Sequence, residues 1–511
     1  MYTETITFAC SLYFLWSLFR WVKCVWFSTV QLPPGPKGYP ILGNALDIPA
    51  TAPWKTFQKW SQIYGDIMYL RTPVQDLIIL NSAEVAFDLL EKRSEIYSDR
   101  PTFVMHELLC LDRIFALMRY TPEWRYQRRE FHQFFQQREI AKYQPIQQSQ
   151  CREFIRRVLD NPSNLGKHIR LLNTATILKI VHDMDVKDME DEYVQSATEA
   201  VSSITMTSLP GNFWIEFFPF LRNIPGWVPG AYFQRFAKDR RPTFLKVLNR
   251  PFDEMKEKMS KGYTGESLTA QLLEKLETSS EDDVEKSTKE ELMRNIAATA
   301  YIGAADTTTD AVQNFFIAMS LHPEVQQKAH AELDHVVGRE RLPDFEDHES
   351  LIYIQAIVLE TMRWMPVTPL IFPHRVTADD VYNGMRIPKG SIVYANAWSM
   401  LHNPEEYPEP ERFNPDRFIR NGRLNPDVRD PYTVAFGFGR RICPGRWLAD
   451  SSLFLVIANA LHVFDVGALK SDGETYDPFG KTETSGMKMH YENIPCTVTP
   501  RFAAMECLVP V

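Results

Sequence analysis

Phe436-Gly437-Phe438-Gly439-Arg440-Arg441-Ile442-Cys443-Pro444-Gly445 is the stretch on which the reading of this chain turns. Its glycines, Gly437, Gly439 and Gly445, let a backbone turn tightly and lie close against a flat ligand. Backbone N–H groups of such a loop can point at a sulfur and hold it as a thiolate. The neighbouring Arg440, Arg441 and Arg446 favour the same anion. Directly after Pro444-Gly445, the apolar run Trp447–Val463 reads as a helix whose N-terminal dipole adds to that field. A lone cysteine in a glycine-rich turn is usually a buried structural residue. The full ten-residue pattern favours a liganding thiolate.

Working outward, the upstream sequence holds further patterns, each weak by itself. Glu360-Thr361-Met362-Arg363 places an acid and a base on one helix face. Set among Ile352, Ile354, Ile357, Val358 and Leu359, that pair is expected to be buried and to need further partners. A long, Ala-rich, proline-free run from Glu290 to Leu321 reads as one buried helix and contains Gly303-Ala304-Ala305-Asp306-Thr307-Thr308. An acid followed by hydroxyls in such a helix is costly unless the site is polar or catalytic. The plain alternative is a threonine back-bonded to the carbonyl four residues earlier. Trp124-Arg125-Tyr126-Gln127-Arg128 puts Trp124 and Arg128 on one face, as an ordinary basic amphipathic helix also would. Pro373-His374-Arg375 and Pro410-Glu411-Arg412-Phe413 complete the set.

Together, and in this order, these patterns resemble the cytochrome P-450 family of haem-thiolate monooxygenases. That family's haem loop reads Phe-x-x-Gly-x-Arg-x-Cys-x-Gly, and Phe436, Gly439, Arg441, Cys443 and Gly445 fill every fixed position. The resemblance implies haem b, with Cys443 as the axial ligand of its iron, donating electron density that promotes O–O cleavage. It implies Arg441, Trp124, Arg128 and His374 at the haem propionates, and Glu360, Arg363 and Arg412 as a structural triad behind the loop. Asp306 and Thr307 are implied as a proton relay to dioxygen. One position departs from the pattern: Ala304 stands where the family has glycine, which leaves the geometry of the oxygen-binding kink open. Electrons are implied to come from NADPH through NADPH-cytochrome P-450 reductase, with cytochrome b5 as a second possible donor.

The stretches Leu90–Pro101 and Asp379–Gly390 resemble fungal secondary-metabolism members of the O-methylsterigmatocystin oxidoreductase-like group. By the same analogy the pocket is lined from Phe103–Leu117, Trp214–Phe217, Ile296, Ala300 and Gly303, Val367–Ile371, and Ser485-Gly486-Met487. Nearly all of these are apolar, which points to a lipophilic substrate such as a terpenoid or polyketide.

Composition sets the outer limits. The chain has 511 residues, 44% of them hydrophobic, and a net charge of −9, so no overall basic field favours nucleic acid. Its seven cysteines are scattered, with no Cys-x-x-Cys and no zinc-type spacing, which argues for a reducing compartment and against a disulfide framework. At the N-terminus the apolar run Ile6–Phe19 is followed by Arg20 and Lys23. It reaches spanning length if those two side chains snorkel to the headgroups, and a merely interfacial helix is the alternative. The charge asymmetry predicts a single-pass anchor in the endoplasmic reticulum membrane, with the catalytic body facing the cytosol.

The expected organisation is therefore an anchor over residues 1–30, a Pro-rich linker over 31–40, and one large domain over 41–511, mainly α with small β-sheets. Ile67–Leu70 and Leu77–Leu80 read as a hairpin, and Ser391–Ala395 as a further strand. Gly262–Lys289 reads as a solvated connection holding at most a polar helix. Phe213–Pro229 is dense in large apolar residues and is either core or a segment that dips into the membrane. Two rival functions fit the cysteine loop: a haem-thiolate isomerase or dehydratase acting without a reductase, and a non-enzymatic haem sensor. Asp306-Thr307 speaks against the first, which has no need to protonate dioxygen. The pocket and the relay speak against the second.

Overall fold

Ile67–Arg71 (β1) and Asp76–Leu80 (β2) form the expected hairpin, with Ile67 opposite Leu80 and Arg71 opposite Asp76. With His374–Arg375 as β3 and Ile392–Ala395 as β4, the sheet runs in the order β1-β2-β4-β3. β2 pairs with β4 in parallel, and β3 pairs with β4 antiparallel. Ile78, Ile79, Leu80 and Val393 are wholly buried, as a parallel pair covered on both faces requires. The sheet matters for the site because its last strand carries His374.

The computed structural model describes residues 31–502 apart from 41, 209–211, 217, 469–478, 480–482, 486–487 and 491–493. The anchor expected within residues 1–30 lies outside the described residues, as do Gly486, Met487 and Phe217 of the expected pocket. Among the described residues no helix is long and apolar enough to cross a membrane.

Helices supply most of the remaining structure. They are α1 (Pro53–Tyr64), α2 (Val104–Leu109), α3 (Pro122–Phe135), α4 (Gln144–Asp160), α5 (Leu165–His182) and α6 (Glu192–Thr207). Then follow α7 (Tyr232–Ser260), α8 (Leu268–Glu277), α9 (Asp283–Leu321), α10 (Pro323–Val336), α11 (Ile352–Trp364) and α12 (Arg446–Val463). The 39-residue α9 is the expected long helix, begun earlier than the apolar run because Asp282 caps it by accepting the Glu285 N–H. From Met293 onward α9 is buried almost all round, against α3, α5, α6, α8 and α12.

Two sequence expectations change. The segment read as a solvated connection contains α8, whose Leu272, Leu273 and Leu276 pack toward α5 and α9, with charged residues confined to its outer face. Ser267 caps it by accepting the Ala270 N–H. In the aromatic stretch after α6, Phe213 and Ile215 belong to the core, whereas Trp214, Phe220 and Trp227 are exposed.

Candidate active site

α9, the Cys443 loop and the start of α12 enclose a cavity of about 310 Å³. The loop that carries Cys443 owes its shape to two residues with left-handed backbone, Gly437 (φ +76°) and Gly439 (φ +55°). A methyl on Gly439 would stand 2.2 Å from the Leu90 carbonyl oxygen, so no other residue fits there. The turn closes through the Cys443 N–H, which donates to the Phe436 carbonyl at 2.8 Å. Burial pushes the Cys443 thiol up, opposed by the Gly445 N–H and by the charges of Arg128 and Arg446. A cation facing the sulfur would invert that balance.

Arginines converge beside this loop. Arg441 donates to the carbonyls of Ser98 (2.7 Å) and Met118 (2.8 Å), and its guanidinium lies 4.0 Å from the Trp124 ring centre. Arg128, one turn after Trp124 on α3, donates to the Ile442 carbonyl at 2.6 Å. Arg100, which sequence reasoning missed, is buried and donates to the carbonyls of Phe372 (2.6 Å), Pro373 (2.7 Å) and Ala116 (3.0 Å). All three arginines line the cavity, and no carboxylate is among its described lining residues. Burial, with mutual repulsion behind it, pulls Arg441 down to about 8 and Arg100 to about 9.

Two buried ring nitrogens beside these cations have no hydrogen-bond partner, the Trp124 Nε1 and the His374 Nε2. The other His374 nitrogen, Nδ1, faces the Tyr97 carbonyl at 2.7 Å, which places the proton of the neutral ring on Nδ1. Burial and the charges of Arg100 and Arg441 hold this histidine well below its ordinary titration range. Gly445 and Gly303 also line the cavity, and a methyl on either would meet nothing within 4 Å. Clustered arginines, the orphaned Trp124 donor and open space over glycine together make a cradle for a flat group bearing negative charge.

On α9, Gly303, Ala304, Thr307 and Thr308 line the cavity, and the helix runs unbroken through them. The Thr307 hydroxyl donates to the Gly303 carbonyl at 2.8 Å, the back-bonded arrangement that was the plain alternative. Asp306, one residue earlier, is buried on another face of the helix, 3.4 Å from Arg170 of α5. The acid and the hydroxyl are thus neighbours in sequence but face different surroundings.

The pocket expectations hold for Ile114–Leu117, Ala300, Gly303, Val367, Thr368 and Ile371. Phe103–Arg113, Trp214–Glu216, Ile296, Pro369 and Leu370 do not line it, and α6 contributes Val201, Ile204 and Thr205.

The expected triad needs a correction. Glu360 and Arg363 pair at 2.7 Å with both side chains wholly buried. The third member is Arg417, whose Nε lies 3.2 Å from Glu360, and not Arg412. The Arg412 side chain is exposed beside Glu409, and only its carbonyl takes part, accepting from Arg363 at 3.3 Å. The pattern Pro-x-Arg-Phe occurs twice, at Pro410–Phe413 and at Pro415–Phe418. The second copy forms a one-turn helix capped by Asn414, whose own N–H donates to Glu360 at 2.8 Å, and this brings Arg417 to the acid.

A cytochrome P-450 family model matches residues 33–487. A cytochrome P-450 monooxygenase of Coprinopsis cinerea is 41% identical over 443 residues, 86% of this chain and 85% of that one. One of Postia placenta is 39% identical over 480 residues, covering 94% of this chain and 92% of its own length. The tryptamine 4-monooxygenase of Psilocybe cyanescens is 35% identical over 491 residues, covering 94% and 96%. On the fold, the cysteine loop and these matches, the chain belongs to the cytochrome P-450 family and is a monooxygenase of the haem-thiolate type.

Proposed function

We propose that this monooxygenase oxidises a lipophilic small molecule of fungal secondary metabolism, a terpenoid or polyketide. Its cofactor on this reading is haem b, and its electrons come from NADPH through NADPH-cytochrome P-450 reductase, with cytochrome b5 as a second donor. The observation that carries the reading is one cavity that joins the Cys443 loop and the hydroxyls of Thr307 and Thr308 to mostly apolar walls.

Cys443 would hold the iron, with Phe436, Gly439 and Gly445 shaping its loop. Arg100, Arg441, Arg128 and Trp124 Nε1 would hold the two carboxylates of the porphyrin, and His374, whose Nε2 bears no proton in the neutral ring, would join them only by taking up a proton as haem binds. Bound haem supplies the reductive activation of dioxygen and the transfer of one oxygen atom to the substrate. The chain does the rest. The Gly445 N–H and the charges of Arg128 and Arg446 favour negative charge on the Cys443 sulfur. The Thr307 hydroxyl, fixed by its bond to the Gly303 carbonyl, keeps lone pairs to accept a proton donor from the cavity side. Asp306 sits beside Arg170, so it takes part as a proton source through rotation or intervening water. Val201, Ile204, Phe115 and Val367 orient an apolar substrate and keep bulk water out.

The same proposal places residues 1–30 in the endoplasmic reticulum membrane as a single-pass anchor, residues 31–40 as a linker, and the domain from 41 onward in the cytosol. The exposed Trp214, Phe220 and Trp227 support contact between that domain and lipid.

The test is reconstitution with NADPH-cytochrome P-450 reductase in lipid vesicles against panels of sesquiterpenes, diterpenes and polyketides under ¹⁸O-labelled dioxygen. The expected result is NADPH-dependent product carrying one labelled oxygen. Product formed without reductase, or without label, would overturn the proposal.

A further inference from the structure

Glu216 is a half-buried carboxyl with no part in the chemistry above. It ends the one-turn helix Trp214–Glu216 in the connection between α6 and α7. Its two oxygens accept the backbone N–H groups of Val104 and Met105, each at 2.8 Å. Those donors belong to the first turn of α2, where helical N–H groups lack partners within the helix. Phe103 at the N-cap position of α2 provides no side-chain cap, so the cap comes from 112 residues further along the chain.

Two more contacts join the same pieces. The buried His106 of α2 lies 3.3 Å from the Ser208 hydroxyl at the end of α6. Glu107 of α2 pairs with Arg222 of the α6–α7 connection at 3.0 Å. α2 leads through Cys110, at φ +62°, into Ile114–Leu117, which line the cavity, and α6 lends the cavity Val201, Ile204 and Thr205. The Glu216 contact therefore ties together two segments that continue into different walls of one cavity.

We propose that Glu216 is a clasp that holds α2 against the α6–α7 connection, and that its release sets how fast a lipophilic substrate reaches the cavity. The second half rests on the reading of that cavity as the substrate chamber.

The clasp is sensitive to pH near neutrality. Burial pushes the Glu216 carboxyl up to about 7, against the two N–H bonds that favour its charged form, and the nearby charge of Glu107 adds to the rise. The other groups around it are settled. Burial drives His106 down to about 3, and burial raises the Tyr394 phenol of β4, so both are neutral. Arg222 is engaged by Glu107. From α7, Tyr232 and Phe236 pack on Phe213, while Arg235 and Arg240 are committed to the Gly226 carbonyl and to Glu199. A released Glu216 in water titrates at about 4.3. The proton thus binds the clasped form more tightly than the released one. The hold is complete below the released value, weakens as pH rises toward 7, and levels off above it.

The experiment is amide hydrogen exchange on the haem-loaded full chain, as wild type, Glu216→Gln and Glu216→Ala, at pH 5.5 and 7.5 after correction for intrinsic exchange. In wild type, protection of the Val104–Leu109 amides should fall about tenfold between the two pH values. Glu216→Gln should show weak protection that no longer depends on pH, with peptides elsewhere unchanged. If Glu216→Ala does not fold, Glu216→Gln alone carries the comparison. Stopped-flow binding of tebuconazole, a triazole uncharged over this range, should be several-fold faster in the variants than in wild type. Unaltered protection of α2 in both variants, or loosening spread through the whole domain, overturns the clasp. Altered protection with unchanged tebuconazole association overturns its control of access. Failure of wild type to bind tebuconazole at all would overturn the reading of the cavity itself, while the exchange result still judges the clasp.

Discussion

Removing one arginine from a buried ion network strands the charge that it neutralised, and at residue scale this gives the first prediction. Arg417→Ala leaves Glu360 with a single buried cation and should cost about 3–5 kcal/mol of stability. Arg412→Ala trims an exposed side chain and should stay within about 0.5 kcal/mol of wild type. Thermal unfolding of the two variants reads the difference, and equal losses would contradict the geometry found around Glu360. Thr307 gives the second prediction. Thr307→Ala keeps the cavity and the Cys443 loop but removes the one cavity hydroxyl fixed to Gly303. It should preserve substrate binding while product per NADPH falls roughly tenfold and hydrogen peroxide rises. Unchanged coupling would pass the role to Thr308 or to the substrate.

The cysteine loop was legible residue by residue because every fixed position of a long pattern is filled. Arg417 was not, because four letters occur twice within a few residues and only folding tells the copies apart. Arg100 was missed for a related reason: the sequence does not reveal that its side chain is buried facing a cavity with no carboxylate among its described lining residues.

Among the elements, the loop before α12 is the least tolerant. Gly439→Ala combines a left-handed backbone with a collision against the Leu90 carbonyl. It should cost about 1–3 kcal/mol from strain alone and more from the displaced loop. The expected outcome is purified chain with little bound haem, read as the ratio of Soret to protein absorbance; full haem content would show that the loop can relax. The long helix α9 was readable from its Ala-rich, proline-free run, and the hairpin of β1 and β2 from apolar stretches around Thr72-Pro73. α8 was misread because its charge density outweighed three leucines whose burial depends on α5 and α9, partners that no local pattern reveals. The pocket wall from α6 was likewise invisible locally, since Val201, Ile204 and Thr205 look like any helix face. Ala304 occupies a cavity-lining position on a helix that continues without interruption, so the departure from glycine leaves the helical path intact.

At the scale of the whole molecule, a net charge of −9 coexists with exposed Arg125 and Arg129 on α3, the helix whose Arg128 bonds the Cys443 loop, and with exposed Arg440 within that loop. On the proposed reading this face meets an acidic reductase. Charge complementarity of that kind acts mainly on the association rate and is screened by salt. Arg129→Glu should slow reduction several-fold at low ionic strength and lose most of that deficit at high salt. Arg446→Glu should keep its deficit, because Arg446 also donates to the Cys443 carbonyl at 3.2 Å. Identical salt responses in the two variants would contradict this division between steering and site.

The expectations for coupling, haem content and reduction depend on Cys443 being the ligand. The most direct test is the absorption spectrum of the reduced, carbon monoxide-treated protein, compared between wild type and Cys443→Ser reconstituted with haem. The account predicts the red-shifted Soret band of a thiolate ligand in wild type and its loss in the variant. A Cys443→Ser protein that keeps that band would contradict it.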